Sequence, residues 1–202
     1  MQKTDEGEDL RVRRTRKMIQ QAMIDLTVEK GFNNISVRDI TERAMVNRST
    51  FYRHYLDKCD LLSQYMKEAT ALTSERYITE RLPENQEEMP NGLMNLLRHV
   101  QEHADFYRVM FGVNGDPEFT EFFRKSAEKR FRFLLETYGE RDDPTLPPAE
   151  MRINYVSHAG IGSIRWWLEN DQPCSVEQLA RWIGRLSTES AGLPDRAKML
   201  HP

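Results

Sequence analysis

Three observations predict an all-α fold for this chain. Apolar residues recur at i, i+3 and i+4 through most of its 202 residues. Capping and stop residues bracket those stretches. No segment of useful length alternates apolar and polar residues as a half-buried strand would, and no internal repeat is present.

Taken in order, Met18, Ile19, Ala22, Met23 and Leu26 mark a helix over 12–30, which Gly31 stops. Phe32, just past that glycine, can fold back on the stripe. Ser36-Val-Arg-Asp39 reads as a capping box opening a helix that runs to Ala44. A short helix follows over 47–55. Asp57 then caps a longer one, fading before Pro83, with Leu61, Leu62, Tyr65, Met66, Ala69 and Leu72 on one face. Pro83–Pro90 is polar and reads as a loop. Leu93, Leu96, Leu97 and Val100 mark a helix over 91–104, and Phe106–Phe111 a short apolar one closed by Gly112.

Asp116-Pro117 is an N-cap followed by proline in the first helical position. Behind it Phe119, Phe122, Phe123, Phe131, Leu134, Leu135 and Tyr138 form a long stripe ending at Gly139. The helix expected over 149–170 is apolar on more than one side between Ile153 and Leu168, so it must be buried in a large core or against a second subunit. Ser175-Val-Glu-Gln178 opens a last helix over 175–188.

Composition narrows the function. With 39% hydrophobic and 30% charged residues, the chain is expected to be soluble and ordered. No run of 18 apolar residues exists, and the polar N-terminus has no signal-peptide core. Cys59 and Cys174 fit neither a disulfide framework nor a zinc spacing, so a reduced, cytoplasmic setting is expected. The net charge of −3 hides a segregation: residues 10–58 hold eleven Lys and Arg against five Asp and Glu, a net +6. Phosphates respond to the local field of one face, so a nucleic-acid partner is compatible with the acidic total.

The segment Ser36–Lys58 carries the chemistry. Two helices of about two turns are joined by Met45-Val46-Asn47, with Val37, Ile40, Ala44, Val46, Phe51 and Tyr55 able to pack inward. That is the spacing of a helix-turn-helix, whose second helix enters the DNA major groove. Asn47, Arg48, Ser49 and Thr50 offer donors and short polar side chains where base edges are read. Tyr52, Arg53, His54 and Lys58 offer donors for phosphate oxygens. A plain helical hairpin with a polar outer face would show the same pattern.

The ordered set Glu29-Lys-Gly-Phe32, Ser36-Val-Arg-Asp-Ile-Thr41, Ala44-Met-Val-Asn47, Thr50-Phe-Tyr-Arg-His-Tyr-Leu-Asp-Lys58 and Leu61-Leu62 resembles the DNA-binding domain of TetR (tetracycline-repressor) family regulators, over about residues 12–62. The resemblance implies an N-terminal three-helix DNA-binding domain, taken as 10–58. It also implies a larger C-terminal helical domain, 59–202, that binds a small-molecule effector and dimerises. Carried over by position, Arg38, Arg48, Ser49 and Thr50 resemble the base-reading set, and Ser36, Tyr52, His54 and Lys58 the phosphate set. One departure stands in the turn: where the family usually has glycine, this chain has Met45. A left-handed turn residue with a side chain costs roughly 1 kcal/mol.

Past Leu62 the resemblance supplies an order of helices but no motif. It implies that the last two helices form half of a four-helix dimer interface, with Gly160, Ile164, Trp167, Leu179, Trp182, Ile183 and Leu186 as candidates; a monomeric core would use the same residues. An effector pocket is expected among Phe106, Met110, Phe122, Phe123, Tyr155, His158 and Trp166, although aromatic stripes at helical spacing are also ordinary core. Abundant Met and Phe suggest an apolar or aromatic effector of unstated identity.

No P-loop, nucleophile elbow or dinucleotide turn points to an enzyme, and no cofactor is expected. His99 and His103, with Glu102 between them, lack a third ligand motif and read as surface histidines rather than a metal site. The expected protein is a homodimeric, effector-released regulator, a repressor, on an inverted-repeat operator of double-stranded DNA, with no membrane role. A sensor or scaffold that has lost DNA binding is the other non-enzymatic alternative.

Overall fold

The computed structural model describes residues 3–70, 75–83 and 89–194, all-helical with no strand among them. Its helices are α1 (Lys3–Lys30), α2 (Val37–Arg43), α3 (Arg48–His54), α4 (Lys58–Thr70), α5 (Glu75–Ile78), α6 (Asn91–Glu102), α7 (Ala104–Met110), α8 (Pro117–Tyr138), α9 (Ala149–Glu169) and α10 (Val176–Ala191); a 3-10 turn occupies Phe32–Asn34. Helix α1 begins nine residues before its expected start, because the polar 3–11 stretch has no apolar period to read. The short α5 lies within the stretch where the long helix expected from Asp57 fades before Pro83. Leu72 and residues 84–88 of the expected loop lie outside the described residues.

The chain divides into two compact units, Met1–Glu68 with Asp105–Asp116, and Ala69–Ala104 with Pro117–Pro202. This redraws the expected boundary at 58/59 in two places. The first three turns of α4 belong to unit 1, where Arg16 of α1 pairs with Glu68 and Gln64. Helix α7 belongs there too. The Phe106 ring meets Tyr65 of α4 edge-on at 5.7 Å, and Asn33 donates from its backbone to Asn114 and from its side chain to the Gly115 carbonyl. Tertiary packing, not chain order, decides the grouping.

In unit 1, Ile19, Met23, Phe32, Ile40, Phe51 and Leu61 are at most 1% exposed, so α1 to α4 share one apolar core. Gly31 ends α1 at φ +81°. Helix α2 opens on the expected capping box: Ser36 Oγ accepts from the Asp39 amide, and the Asp39 carboxylate accepts from the Ser36 amide. Helix α4 opens on a related pair of bonds, shifted by one residue on the return. Asp57 accepts from the Asp60 amide at 2.8 Å and Asp60 from the Leu56 amide at 2.9 Å.

The α2–α3 turn is a Schellman motif. The Val46 amide donates to Thr41 O at 3.0 Å and the Met45 amide to Glu42 O at 3.2 Å. That geometry puts Met45 at φ +54°, in the left-handed region, with its side chain 84% exposed. Met45 therefore bears the strain without recovering it by burial. Met45→Gly is expected to stabilise the protein by about 1 kcal/mol, read by denaturant titration. A loss of stability would mean that the methionine makes an interaction the fold needs.

Unit 2 packs α8 and α10 on α9, and α6 on α10. Trp167 is fully buried and donates from its indole to the Cys174 carbonyl at 2.9 Å. Arg152, 3% exposed, ties the end of α10 to the loop before α9, reaching Pro147 O, Ala191 O and the Glu140 carboxylate. Gly192 closes α10 at φ +71°, and a Cβ there would lie 2.0 Å from Arg152 Nη1. No helix among the described residues is long and apolar enough to cross a membrane.

Candidate functional site

Helix α3 is held from beneath and open above. Phe51 and Tyr55, one turn apart, are buried and stack against each other with ring centroids 5.5 Å apart. With that face fixed, the helical period turns Arg48, Ser49, Tyr52 and Arg53 outward, and all four are exposed. Asn47, at the N-cap, is exposed and makes no side-chain cap bond. Thr50 is half-buried at the edge of the same surface. The expected base-reading residues other than Arg38 are thus gathered at one helix end.

Arg38 stands on α2, paired with Glu42 at 2.7 Å while both side chains remain more than 60% exposed. An exposed pair of this kind is weak, so it yields readily to a better acceptor.

The phosphate group divides. Tyr52 is half-exposed, its ring edge-on to Phe51 at 5.5 Å, which aims a rigid phenol off the surface. His54 is half-buried. Burial, and the charges of Arg16 and Arg53, push its pKa below the ordinary imidazole value, so it is neutral at physiological pH and offers a hydrogen bond rather than a charge.

Two residues are already committed elsewhere. Ser36 Oγ donates its hydrogen to Asp39 in the α2 cap. Lys58 donates to the carbonyls of Phe32 at 2.9 Å, Asn33 at 3.2 Å and Ile35 at 2.9 Å, and its ammonium lies 4.9 Å from the Phe32 ring centroid. An ammonium has three hydrogens, and here three carbonyls accept from it. In this structure Lys58 is a strut between α4 and the 3-10 turn, not a free phosphate ligand.

In unit 2 a cavity of about 660 Å³ is lined by α6, α8, α9 and α10. Of the expected pocket residues only Phe123 lines it. Phe106 and Met110 are core residues of unit 1. Phe122 is half-buried, edge-on to the Phe123 ring at 5.6 Å, and is not in the cavity wall. Tyr155, His158 and Trp166 are exposed on the outer face of α9. The helical phase explains the difference. Positions 153, 156, 157, 160, 164 and 167 turn inward, and 151, 155, 158, 159, 162 and 166 turn outward.

The same phase redistributes the expected dimer residues. Gly160, Ile164, Trp182 and Ile183 line the cavity, and Trp167 and Leu179 are core. The outward apolar face consists of Met151 (64% exposed), Tyr155, Trp166, Trp182 and Leu186 (60%), with a shallow groove along Ala159, Gly162 and Leu179.

Arg130, 5% exposed in the cavity wall, is not among the residues expected from sequence. A signal for it exists: Phe119, Phe123, Ser126, Arg130 and Leu134 form one i, i+3, i+4 series, and all five are buried. Elsewhere in the unit, ligand atoms of His99, Glu102 and His103 lie within 4.8 Å of one another. His99, its pKa lowered to about 4 by burial and by the neighbouring His103, is a neutral imidazole.

Comparison with known proteins agrees with this arrangement. A family model described as "Bacterial regulatory proteins, tetR family" matches residues 19–65, and one described as "Transcriptional regulator C-terminal region" matches residues 87–189. The chain is 32% identical over 111 residues to the HTH-type dhaKLM operon transcriptional activator DhaS of Lactococcus lactis, a match covering 54% of each protein. It is 39% identical over 64 residues to the HTH-type regulator YxbF of Bacillus subtilis, covering 31% of this chain and 17% of that one. The matches thus span about half the length of one curated relative and less than a fifth of the other. A TetR transcriptional regulator structure from Streptococcus agalactiae shares the fold at a TM-score of 0.64 and 24% identity, covering 89% of this chain and 97% of that one. With both of its parts matched by these families, the chain belongs to the TetR family of DNA-binding transcriptional regulators.

Proposed function

We propose that this regulator binds an inverted-repeat operator as a homodimer and releases it when a small molecule enters the unit 2 cavity. The observation that carries the DNA half is the exposed end of α3, Asn47 to Arg53, standing over a buried Phe51–Tyr55 anchor. Two such helices would enter successive major grooves about 34 Å apart. The outward apolar face of α9 and α10 supports dimerisation, since contiguous exposed aromatic and aliphatic surface marks an interface. An effector releases DNA only if it binds the DNA-free state more tightly, so operator and effector must each weaken the other equally. The chain then acts at the chromosome, in the cytoplasm, without catalysis.

Release by effector gives repression where the operator overlaps a promoter. The likeness to DhaS, an activator by name, favours a second reading in which the bound form promotes transcription. A reporter driven by a bound fragment, with and without the regulator, separates the two by the sign of the change.

The test begins by recovering genomic fragments bound by the full chain. Arg48→Ala is expected to relax discrimination at particular base pairs, by about 1–3 kcal/mol for each bidentate pairing to a base that it removes. Uniform weakening across all sequences would overturn the base-reading role of Arg48.

A further inference from the structure

The unit 2 cavity combines an apolar lining with one buried cation, Arg130, and with the more exposed Arg141, Arg181, Arg185 and Glu189. Phe123, Phe131, Leu134, Val156, Ile164 and Trp182 are among the residues of its aromatic and aliphatic wall. Arg130 reaches the same wall from α8 and is 5% exposed. Its Nη1 donates to the carbonyls of Ile78 and Glu80. Its Nη2 is buried and has no hydrogen-bond partner.

Nearby groups leave that Nη2 donor without a hydrogen bond. The Glu80 carboxylate already accepts from the amides of Asn91 at 2.9 Å and Gly92 at 3.0 Å, at the start of α6. Wall hydroxyls Ser126 and Ser157 donate to the carbonyls of Phe122 and Ile153. Burial pushes the Arg130 pKa down, and Tyr77, Glu80 and Tyr138 only partly oppose this. A buried guanidinium with an unused donor is costly unless something pairs with it. A cavity of about 660 Å³ has room for a drug-sized molecule to do so.

We propose that the effector is an apolar monocarboxylate whose charged end pairs with Arg130 while its hydrocarbon or aromatic body fills the rest of the cavity. The assignment rests on the effector-binding reading of unit 2 and specifies the chemistry of that site. Because Nη1 is spent on two backbone carbonyls, the anion pairs with the guanidinium donors that remain, on Nε and Nη2.

Calorimetric titration of the full chain, without DNA, tests this with two matched pairs at neutral pH: octanoate against 1-octanol, and 4-phenylbutyrate against 4-phenylbutanol. The acid of each pair is expected to bind at least about 10-fold more tightly than its alcohol, as a charge-assisted hydrogen bond requires. Arg130→Met is expected to bring acid and alcohol within about 3-fold of each other, while Arg130→Lys keeps part of the preference. A purely structural arginine would not move that ratio.

Equal binding of acid and alcohol to the wild type, binding of neither at millimolar concentration, or a preference that survives Arg130→Met would each overturn the assignment. Should Arg130→Met fail to fold, the wild-type ratio and Arg130→Lys still decide. An acid that binds with this preference yet leaves operator affinity unchanged would refute effector release while leaving the carboxylate site standing.

Discussion

Phe51→Ala is expected to cost unit 1 about 3–5 kcal/mol, the usual loss for emptying a fully buried phenylalanine site. Phe51 is 0% exposed and stacks on both Tyr52 and Tyr55, so its removal frees the recognition helix from its support. The three tryptophans, Trp166, Trp167 and Trp182, all lie in unit 2 and report separately on it. The expected result is lost hydrogen-exchange protection across 37–54, lost DNA binding and unchanged tryptophan emission. Phe51→Leu, nearer in volume, should retain most protection. Full DNA affinity in Phe51→Ala would contradict the anchoring role.

Lys58→Met is expected to lower stability by about 2–3 kcal/mol with no DNA present, because three carbonyls around the 3-10 turn lose the ammonium, although Phe32 O keeps the Ile35 amide. This separates two roles that DNA affinity alone confuses. A lysine serving only phosphate would leave the free protein's stability unchanged and reduce the log–log salt slope of binding by about one. A strut instead moves stability first, and affinity as a consequence. Unchanged exchange protection over 32–36 in Lys58→Met would return the residue to the phosphate set.

These two residues also show what the sequence discloses. The recognition helix is legible because its determinants are local: the Ser36–Asp39 cap, the Phe51/Tyr55 spacing and the short turn all lie within 20 residues. Met45 is legible as a conflict, and its left-handed φ is what that turn demands. Lys58 is not. Its basic charge suggests phosphate, while its true partners are carbonyls 23 to 26 residues away.

The cavity is harder still. A helix apolar on several sides, as α9 is, conceals which side faces in. Its pattern therefore suggests Tyr155, His158 and Trp166 for the pocket and Gly160 and Ile164 for the interface, whereas in the structure the first three face outward and the last two line the cavity. Chain order suggests Phe106 and Met110 for the pocket, whereas α7 packs in unit 1. Arg130 stands in the apolar series of α8. A charge in that register is a stronger pointer to a site than the aromatic residues around it.

The central claim is that α3 holds DNA through a cationic, phosphate-contacting surface. The most direct measurement is the affinity of the full chain for a recovered operator fragment as salt is raised. A dimer engaging six or more phosphates predicts a log–log slope of about −5 or steeper. Affinity that stays flat with salt, or the absence of any bound fragment, would contradict it.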